Sequence, residues 1–181
     1  KCVFSSEWNK DSQRTYFSNF GEIPFGDITL DVTKSYIPNN FDILCAGFPC
    51  QPFSLAGVSS RNFLGLEHGF NHPTQGNLFF DIIDIAKKHQ PKVIFLENVK
   101  NFAAHDNGNT LRVVKETMQE LGYSFDYEVL NPVHYGMPQK RERIYMVCFR
   151  EDVKRETFIF PKPIKLKRYV EDFLLPNEEV L

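Results

Sequence analysis

The chain has 181 residues, of which 42% are hydrophobic and 24% charged, and its net charge at pH 7 is −2. That length fits one domain, or one domain with a tail, and the composition excludes a disordered or fibrous chain. No apolar run reaches the roughly 18 residues that span a bilayer. The first residues, KCVFSSEW, lack a signal-peptide pattern. Cys2, Cys45, Cys50 and Cys148 form no CxxC pair, which argues against zinc and against a disulfide framework and predicts a reducing, cytoplasmic compartment.

In chain order, Cys2–Ser5 is a short strand candidate. Asn9 can cap a helix running to about Phe20, with Tyr16, Phe17 and Phe20 as its apolar positions. Gly21 to Gly26 is a turn. Phe41–Ala46 (FDILCA) is a buried strand candidate bounded by Gly47 and Pro49. The segment from Pro49 to Gly76 is rich in Gly, Ser, Asn and His and has no clear periodicity. Asn77 can cap a helix to about His89, with Leu78, Ile82 and Ile85 on one face, and Lys87 and Lys88 suit its negative C-terminal end. Pro91 stops that helix, and Val93–Leu96 (VIFL) is a second buried strand. Asn109 can start a helix with Leu111, Val114, Met118 and Leu121 at helical spacing, ended by Gly122. Tyr123–Leu130 and Arg143–Phe149 are two further strands, close enough to form an antiparallel hairpin. Strands alternate with helices and the inner strands are continuously apolar, which predicts an α/β fold with a mostly parallel sheet and helices on both faces.

Charge is unevenly spread. Residues 140–168 carry 10 basic and 4 acidic side chains, whereas the rest of the chain is acidic. Such a block is either a solvated face or a phosphate-facing surface.

In open α/β sheets ligands bind beyond the carboxyl ends of the strands. After FDILCA comes Gly47-Phe48-Pro49-Cys50-Gln51-Pro52, and after VIFL comes Glu97-Asn98-Val99. A thiol and a carboxylate therefore leave the same sheet edge. Alone, the cysteine reads first as a small buried hydrophobe and the glutamate as a solvated strand end; together at one edge they leave chemistry and structure level. Gln139-Lys140-Arg141-Glu142-Arg143 leads into the last strand, and an extended segment would point Arg141 and Arg143 the same way. Their forks suit carbonyl, carboxylate or phosphate oxygens.

PCQPFS at 49–54, ENVKNF at 97–102 and QKRER at 139–143 resemble, in order and in strand context, the signature blocks of the C5-cytosine DNA methyltransferases. The flanks DILCAGFPCQ, ENVKNFAAHDNGNT and YGMPQKRERIYMVCF are most similar to the Hha-type bacterial modification methylases. The resemblance implies a Rossmann-like, S-adenosylmethionine-dependent catalytic domain over 1–160, incomplete here, with 161–181 leading toward a recognition domain. It implies that Cys50 is the nucleophile, Glu97 the acid at N3 and the exocyclic amine, Arg143 the group on the base carbonyl and Arg141 its orienting partner. Pro49 and Gln51 would shape the nucleophile turn, Pro49 also belonging to the cofactor site, and Gln51, Ser54, Asn98, Val99 and Gln139 would serve the substrate and the active-site loop. On the cofactor side, Glu7 would hold the ribose hydroxyls, Trp8 would pack on adenine, Gly26-Asp27-Ile28 would read its amino group, and Leu78 would line the S-adenosylmethionine pocket.

The family pattern also includes a first strand with a glycine-rich cofactor loop and, beyond the position of Leu181, a recognition domain; neither has a counterpart in these residues. The resemblance thus implies half of an enzyme that methylates flipped-out cytosine in double-stranded DNA, as part of a restriction–modification pair. In isolation it is expected to be inactive or nearly so, and prone to self-association through exposed sheet edges. Val58 to Gln75 is expected to be a lid longer than usual, and His68 and His72, four apart but beside Pro73, make a poor metal pair. An RNA (transfer RNA) cytosine methyltransferase and a non-catalytic nucleic-acid-binding remnant are the alternatives. A cysteine hydrolase lacks a histidine placed to serve Cys50.

Overall fold

A computed structural model describes residues 1–49, 78–165, 167 and 169–174. The predicted positions Cys50, Gln51, Ser54 and Asn77, the segment 58–75 and its two histidines lie outside the described residues.

Helix α1 (Lys10–Phe20) starts where the sequence supplies a cap: the Asn9 side chain accepts from the backbone N–H groups of Asp11 and Ser12. It ends at Gly21, whose φ of 71° is the left-handed conformation that glycine adopts without penalty. Its expected apolar face is not its buried face. Gln13 is the buried residue, donating to the Glu7 carbonyl, while Phe17 and Phe20 are exposed and Tyr16 packs on the Phe20 ring. A short helix α2 (Asp31–Ser35) follows.

Strand β1 (Ile43–Gly47), helix α3 (Leu78–His89) and strand β2 (Val93–Val99) come next, with β1 and β2 parallel in the register Gly47↔Glu97. Helix α4 (Asn109–Glu120) leads to strands β3 (Asp126–Leu130) and β4 (Arg143–Phe149), which form the expected antiparallel hairpin. The sheet order is β1-β2-β4-β3, so β4 inserts beside β2 and runs antiparallel to both its neighbours. The fold is α/β as the alternation predicts, but the described sheet is mixed rather than mostly parallel. Cys2–Ser5 forms no strand; residues 5–7 make only a parallel bridge, Ser6 to Phe25, closed by the Glu7 and Phe25 amides. Among the described residues β1 is therefore an edge strand and not buried, with Ile43 58% exposed.

The core lies on one face of the sheet. Ile94 and Leu96 of β2 stand opposite Cys148 and Met146 of β4, all fully buried. Phe79, Ile83 and Ala86 of α3 and Leu111, Val114 and Met118 of α4 complete the same cluster. Each of the Val, Leu, Ile, Phe and Met side chains among these contributes about 1.5–3 kcal/mol of burial free energy. Helix α3 is apolar on a second stripe too: Leu78, Ile82 and Ile85 line a cleft of about 680 Å³ between β1 and residues 1–6. Before α4 the chain turns through Asp106, Asn107 and Gly108 with φ of 50°, 54° and 84°. Asn, Asp and Gly tolerate that left-handed conformation best. Gly122, with φ of 81°, ends the turn after α4 as expected.

Candidate active site

The strand ends determine what can meet. Alternation along β2 turns Asn98 into the core, together with Ile94 and Leu96, and places Glu97 on the opposite face. In the antiparallel ladder Val99 faces Arg143 and Glu97 faces Tyr145, so Glu97 and Arg143 are diagonal neighbours on one face. The Arg143 Nε donates to Glu97 Oε1 at 2.9 Å, with both side chains partly shielded from solvent. A second guanidinium nitrogen of Arg143 donates to the Glu142 carbonyl at 2.8 Å. Lys100, just past β2, grips the Glu142 carboxylate at 2.9 and 3.0 Å, lacing the end of β2 to the start of β4.

Beside this pair lies Gly47, in register with Glu97 across the parallel ladder. A Cβ added to Gly47 would stand 3.3 Å from Glu97 Oε2, so the residue's bareness makes room for the carboxylate. Phe48 follows, buried, with its ring 5.6 Å from that of Phe79 and 5.5 Å, edge-on, from that of Phe102. Its carbonyl accepts from Asn98 Nδ2 at 2.8 Å. The chain thus leaves β1 held on both sides, and Pro49, exposed, is the last described residue before Cys50.

Of the remaining predicted residues, Arg141 and Gln139 are exposed, and Val99 is exposed at the strand end. Arg141 is not aligned with Arg143 by strand geometry, because β4 begins only at Arg143. Its backbone amide is instead fixed by the Asn131 side chain at 3.2 Å, which also caps the turn Pro132–Tyr135. Neither Asn131 nor Gly47 was marked by sequence reasoning. Asn131-Pro132 carries a capping signal that could have flagged the first; the second shows only once the β1–β2 register is known.

On the other side of β1, the Ser6–Phe25 bridge brings two separate blocks together. Glu7-Trp8 leaves one bridged segment and Gly26-Asp27-Ile28 the other. Glu7 and Asp27 each accept a backbone N–H, from Asn9 at 2.8 Å and Thr29 at 2.9 Å, which fixes both carboxylates. Trp8 is 72% exposed, its indole face open to a planar partner. Ile28 and Leu78 both line the cleft against β1. Two anchored carboxylates and an open indole suit a ligand that carries a diol and a flat aromatic amine, as the adenosine part of S-adenosylmethionine does.

Burial holds the Cys148 thiol at about 12, far from reactivity, and raises Cys45 as well. Cys2, Cys45 and Cys148 are free thiols. Among the described residues no three His, Cys, Asp or Glu side chains are grouped to hold a metal, and no helix is long and apolar enough to cross a membrane.

Residues 1–179 match the profile of the C-5 cytosine-specific DNA methylases. The chain is 56% identical over 180 residues to the type II methyltransferase M.HhaI of Haemophilus parahaemolyticus, covering 99% of this chain and 52% of that protein. It is 48% identical over 166 residues to M.HpaII of Haemophilus parainfluenzae, covering 91% and 44%. The chain thus spans about half the length of these curated relatives. Among solved structures it is similar in fold to a DNMT2 mutant of Spodoptera frugiperda, with a TM-score of 0.68, 22% identity, and coverage of 98% of this chain and 53% of that one. A prophage-encoded putative DNA modification methyltransferase of E. coli aligns with a TM-score of 0.66 and 20% identity, covering 98% and 49%.

Proposed function

Because the chain belongs to the C-5 cytosine-specific DNA methylase family, we propose that it is the catalytic portion of a DNA (cytosine-5) methyltransferase of restriction–modification type, acting in the cytoplasm on duplex DNA. The observation that carries this reading is the Glu97–Arg143 pair, set at the end of β2 beside the strand exit that leads through Phe48 and Pro49 to Cys50.

Cytosine C5 is a weak nucleophile, and the ring is stacked inside the duplex, so the base must be flipped out to react. Addition of the Cys50 thiolate to C6 turns C5 into an enamine carbon able to attack an electrophilic methyl group. The C5 proton then passes to solvent, the C6–S bond breaks with its electrons returning to the Cys50 sulfur as thiolate, and the ring is restored. S-adenosylmethionine supplies that methyl on a sulfonium sulfur. Glu97 faces N3 and the exocyclic amine, where a shared proton offsets charge developing on the ring. Arg143, already gripped by Glu97 and the Glu142 carbonyl, presents its fork to the base carbonyl. Glu7 would hold the methyl donor's ribose diol, Trp8 would pack on its adenine ring, Asp27 would accept from the adenine amine, and Ile28 and Leu78 would line the pocket beside them. The exposed edge of β1 supports self-association of the isolated chain.

The test uses a protein carrying this chain together with whatever flanking segments its gene encodes. Incubated with S-adenosylmethionine and a duplex containing 5-fluorocytosine at the target, it is expected to form an adduct that survives denaturation and disappears in Cys50→Ser. An adduct that persists in Cys50→Ser removes the nucleophile assignment. Methylation of transfer RNA instead of duplex DNA moves the assignment to an RNA enzyme. Absence of methyl transfer to either leaves a nucleic-acid-binding remnant.

A further inference from the structure

On the premise, proposed above, that the cleft beside β1 takes S-adenosylmethionine, we infer that Lys34 and Asp81 are positioning residues. Their ion pair holds the segment facing adenosine at a fixed spacing from α3 and thereby sets affinity for the methyl donor. Lys34 Nζ lies 2.6 Å from Asp81 Oδ1, and the two side chains are only 19% and 16% exposed. On α3 the cleft is walled by Leu78, Ile82 and Ile85, and Asp81 sets a charge among them. A shielded ion pair gains little net stability, because desolvating both charges offsets much of their attraction. What it supplies is a directional hold on two separate elements, which apolar packing does not give.

The lysine end of the pair belongs to a run of local bonds that begins at Asp27. The Asp27 carboxylate accepts from the Thr29 N–H at 2.9 Å, its carbonyl from the Leu30 N–H at 3.3 Å, and the Leu30 carbonyl from the Lys34 N–H at 3.0 Å. Phe25, two residues before Asp27, stacks on both Phe4 and Tyr36, with ring centroids 4.9 Å from each. The Ser6–Phe25 bridge adds the segment that carries Glu7 and Trp8. Glu7, Trp8, Asp27 and Lys34 thus belong to one knit unit. The aspartate end stands on α3, three residues after Leu78 and so on the same side of the helix. Ile28 of the unit and Leu78 of the helix line one cleft, and the ion pair spans the two elements that bear them.

Two halves of a binding site held at their bound spacing spare the ligand part of the ordering cost, which strengthens binding without touching the reacting atoms. Glu97 and Arg143 lie across β1 from this unit, so the chemical step is set elsewhere.

The experiment compares Asp81→Ala, the double variant Lys34→Met/Asp81→Ala and Tyr123→Phe in the protein used for the methylation assay. Calorimetry reads S-adenosylmethionine binding, urea reads stability, and steady-state methylation reads KM and kcat. Tyr123 is 1% exposed and its hydroxyl donates to the Pro91 carbonyl at 2.7 Å, so Tyr123→Phe lowers stability away from the cleft. Asp81→Ala is expected to raise Kd for S-adenosylmethionine about 10-fold, with KM for the donor rising in step and kcat at saturating donor within about twofold. The double variant is expected to regain stability and yet bind the donor as weakly as Asp81→Ala, because the link is missing from both. Should Asp81→Ala not fold, the double variant carries the comparison. A double variant whose Kd returns to within about twofold of the unsubstituted value overturns the inference, as does an equal weakening by Tyr123→Phe. If the unsubstituted protein itself gives no binding heat with S-adenosylmethionine, the cofactor reading is what has failed, and the inference falls with it.

Discussion

Replacing Gly47 by alanine perturbs the site by one methyl group at a known place. The backbone of Gly47 lies outside the left-handed region, so alanine meets no conformational penalty there. Its Cβ would lie 3.3 Å from Glu97 Oε2, tighter than most such contacts, and the carboxylate must retreat by a few tenths of an ångström. The other carboxylate oxygen is the one held by Arg143 at 2.9 Å. A hydrogen bond between charged groups contributes about 1.5–3 kcal/mol, and a bond stretched this far loses roughly half of it. A loss of about 1 kcal/mol of alignment corresponds to about a fivefold fall in rate. Stability should change little, because the weakened bond is offset by the roughly 0.5–1 kcal/mol that glycine within a strand costs relative to alanine. Single-turnover methylation and urea unfolding, run on the same preparation, read the two effects separately. A Gly47→Ala protein that methylates at the unsubstituted rate would refute the claim that the space beside Gly47 positions Glu97.

Alkaline pH should destabilise the fold. Cys148 rises from its ordinary 9.0 to about 12 and Tyr123 from 10.0 to about 12, both chiefly through burial. Each stays protonated in the folded chain while the unfolded chain ionises, so their stabilisation is complete below pH 9 and declines as pH climbs toward 12, by on the order of 4 kcal/mol from Cys148 alone. Urea midpoints measured from pH 7 to 11 should fall accordingly; a flat profile would contradict the burial of both groups. In native protein at pH 8, iodoacetamide should label Cys2 and leave Cys148 untouched until denaturant is added, as peptide mapping would show. Lys34 and Asp81 pair at 2.6 Å between α2 and α3 with side chains only 19% and 16% exposed. Asp81→Ala strands the lysine and is expected to cost about 2–3 kcal/mol in urea unfolding, with the double variant Lys34→Met/Asp81→Ala recovering much of it; a double variant no better than the single would show that the pair's charges are not the cause.

Features set by local patterns were the legible ones. Leu111, Val114 and Met118 announce the buried face of α4 by spacing alone, Asn9 and Gly21 bracket α1, and the apolar run at Val93 marks β2. The α1 face was misread because aromatic spacing identifies a stripe without saying what the stripe meets; here Gln13 turns inward on the Glu7 carbonyl. Cys2–Ser5 has strand composition, yet a strand exists only with neighbours, and the bridge at Ser6 is all that forms. The insertion of β4 beside β2 is a long-range choice that no window of sequence contains. The Glu97–Arg143 contact depends on that insertion and on its register, whereas the resemblance of the signature blocks could mark each residue but not their pairing. Arg141 shows the converse: spacing two from Arg143 suggested alignment, but the strand begins too late to impose it.

Seven successive partners join β2 to β4, from Val93 opposite Phe149 to Val99 opposite Arg143. Where sequence length is free to drift follows from that ladder. The connection from Asn131 to Glu142 can lengthen at its exposed turn without moving Arg143 relative to Glu97. One residue gained or lost within 143–149 would instead carry the guanidinium through to the far side of the sheet and thrust alternate core side chains into water. Descendants of this gene should therefore accumulate their indels in the hairpin loop and almost none in the last strand.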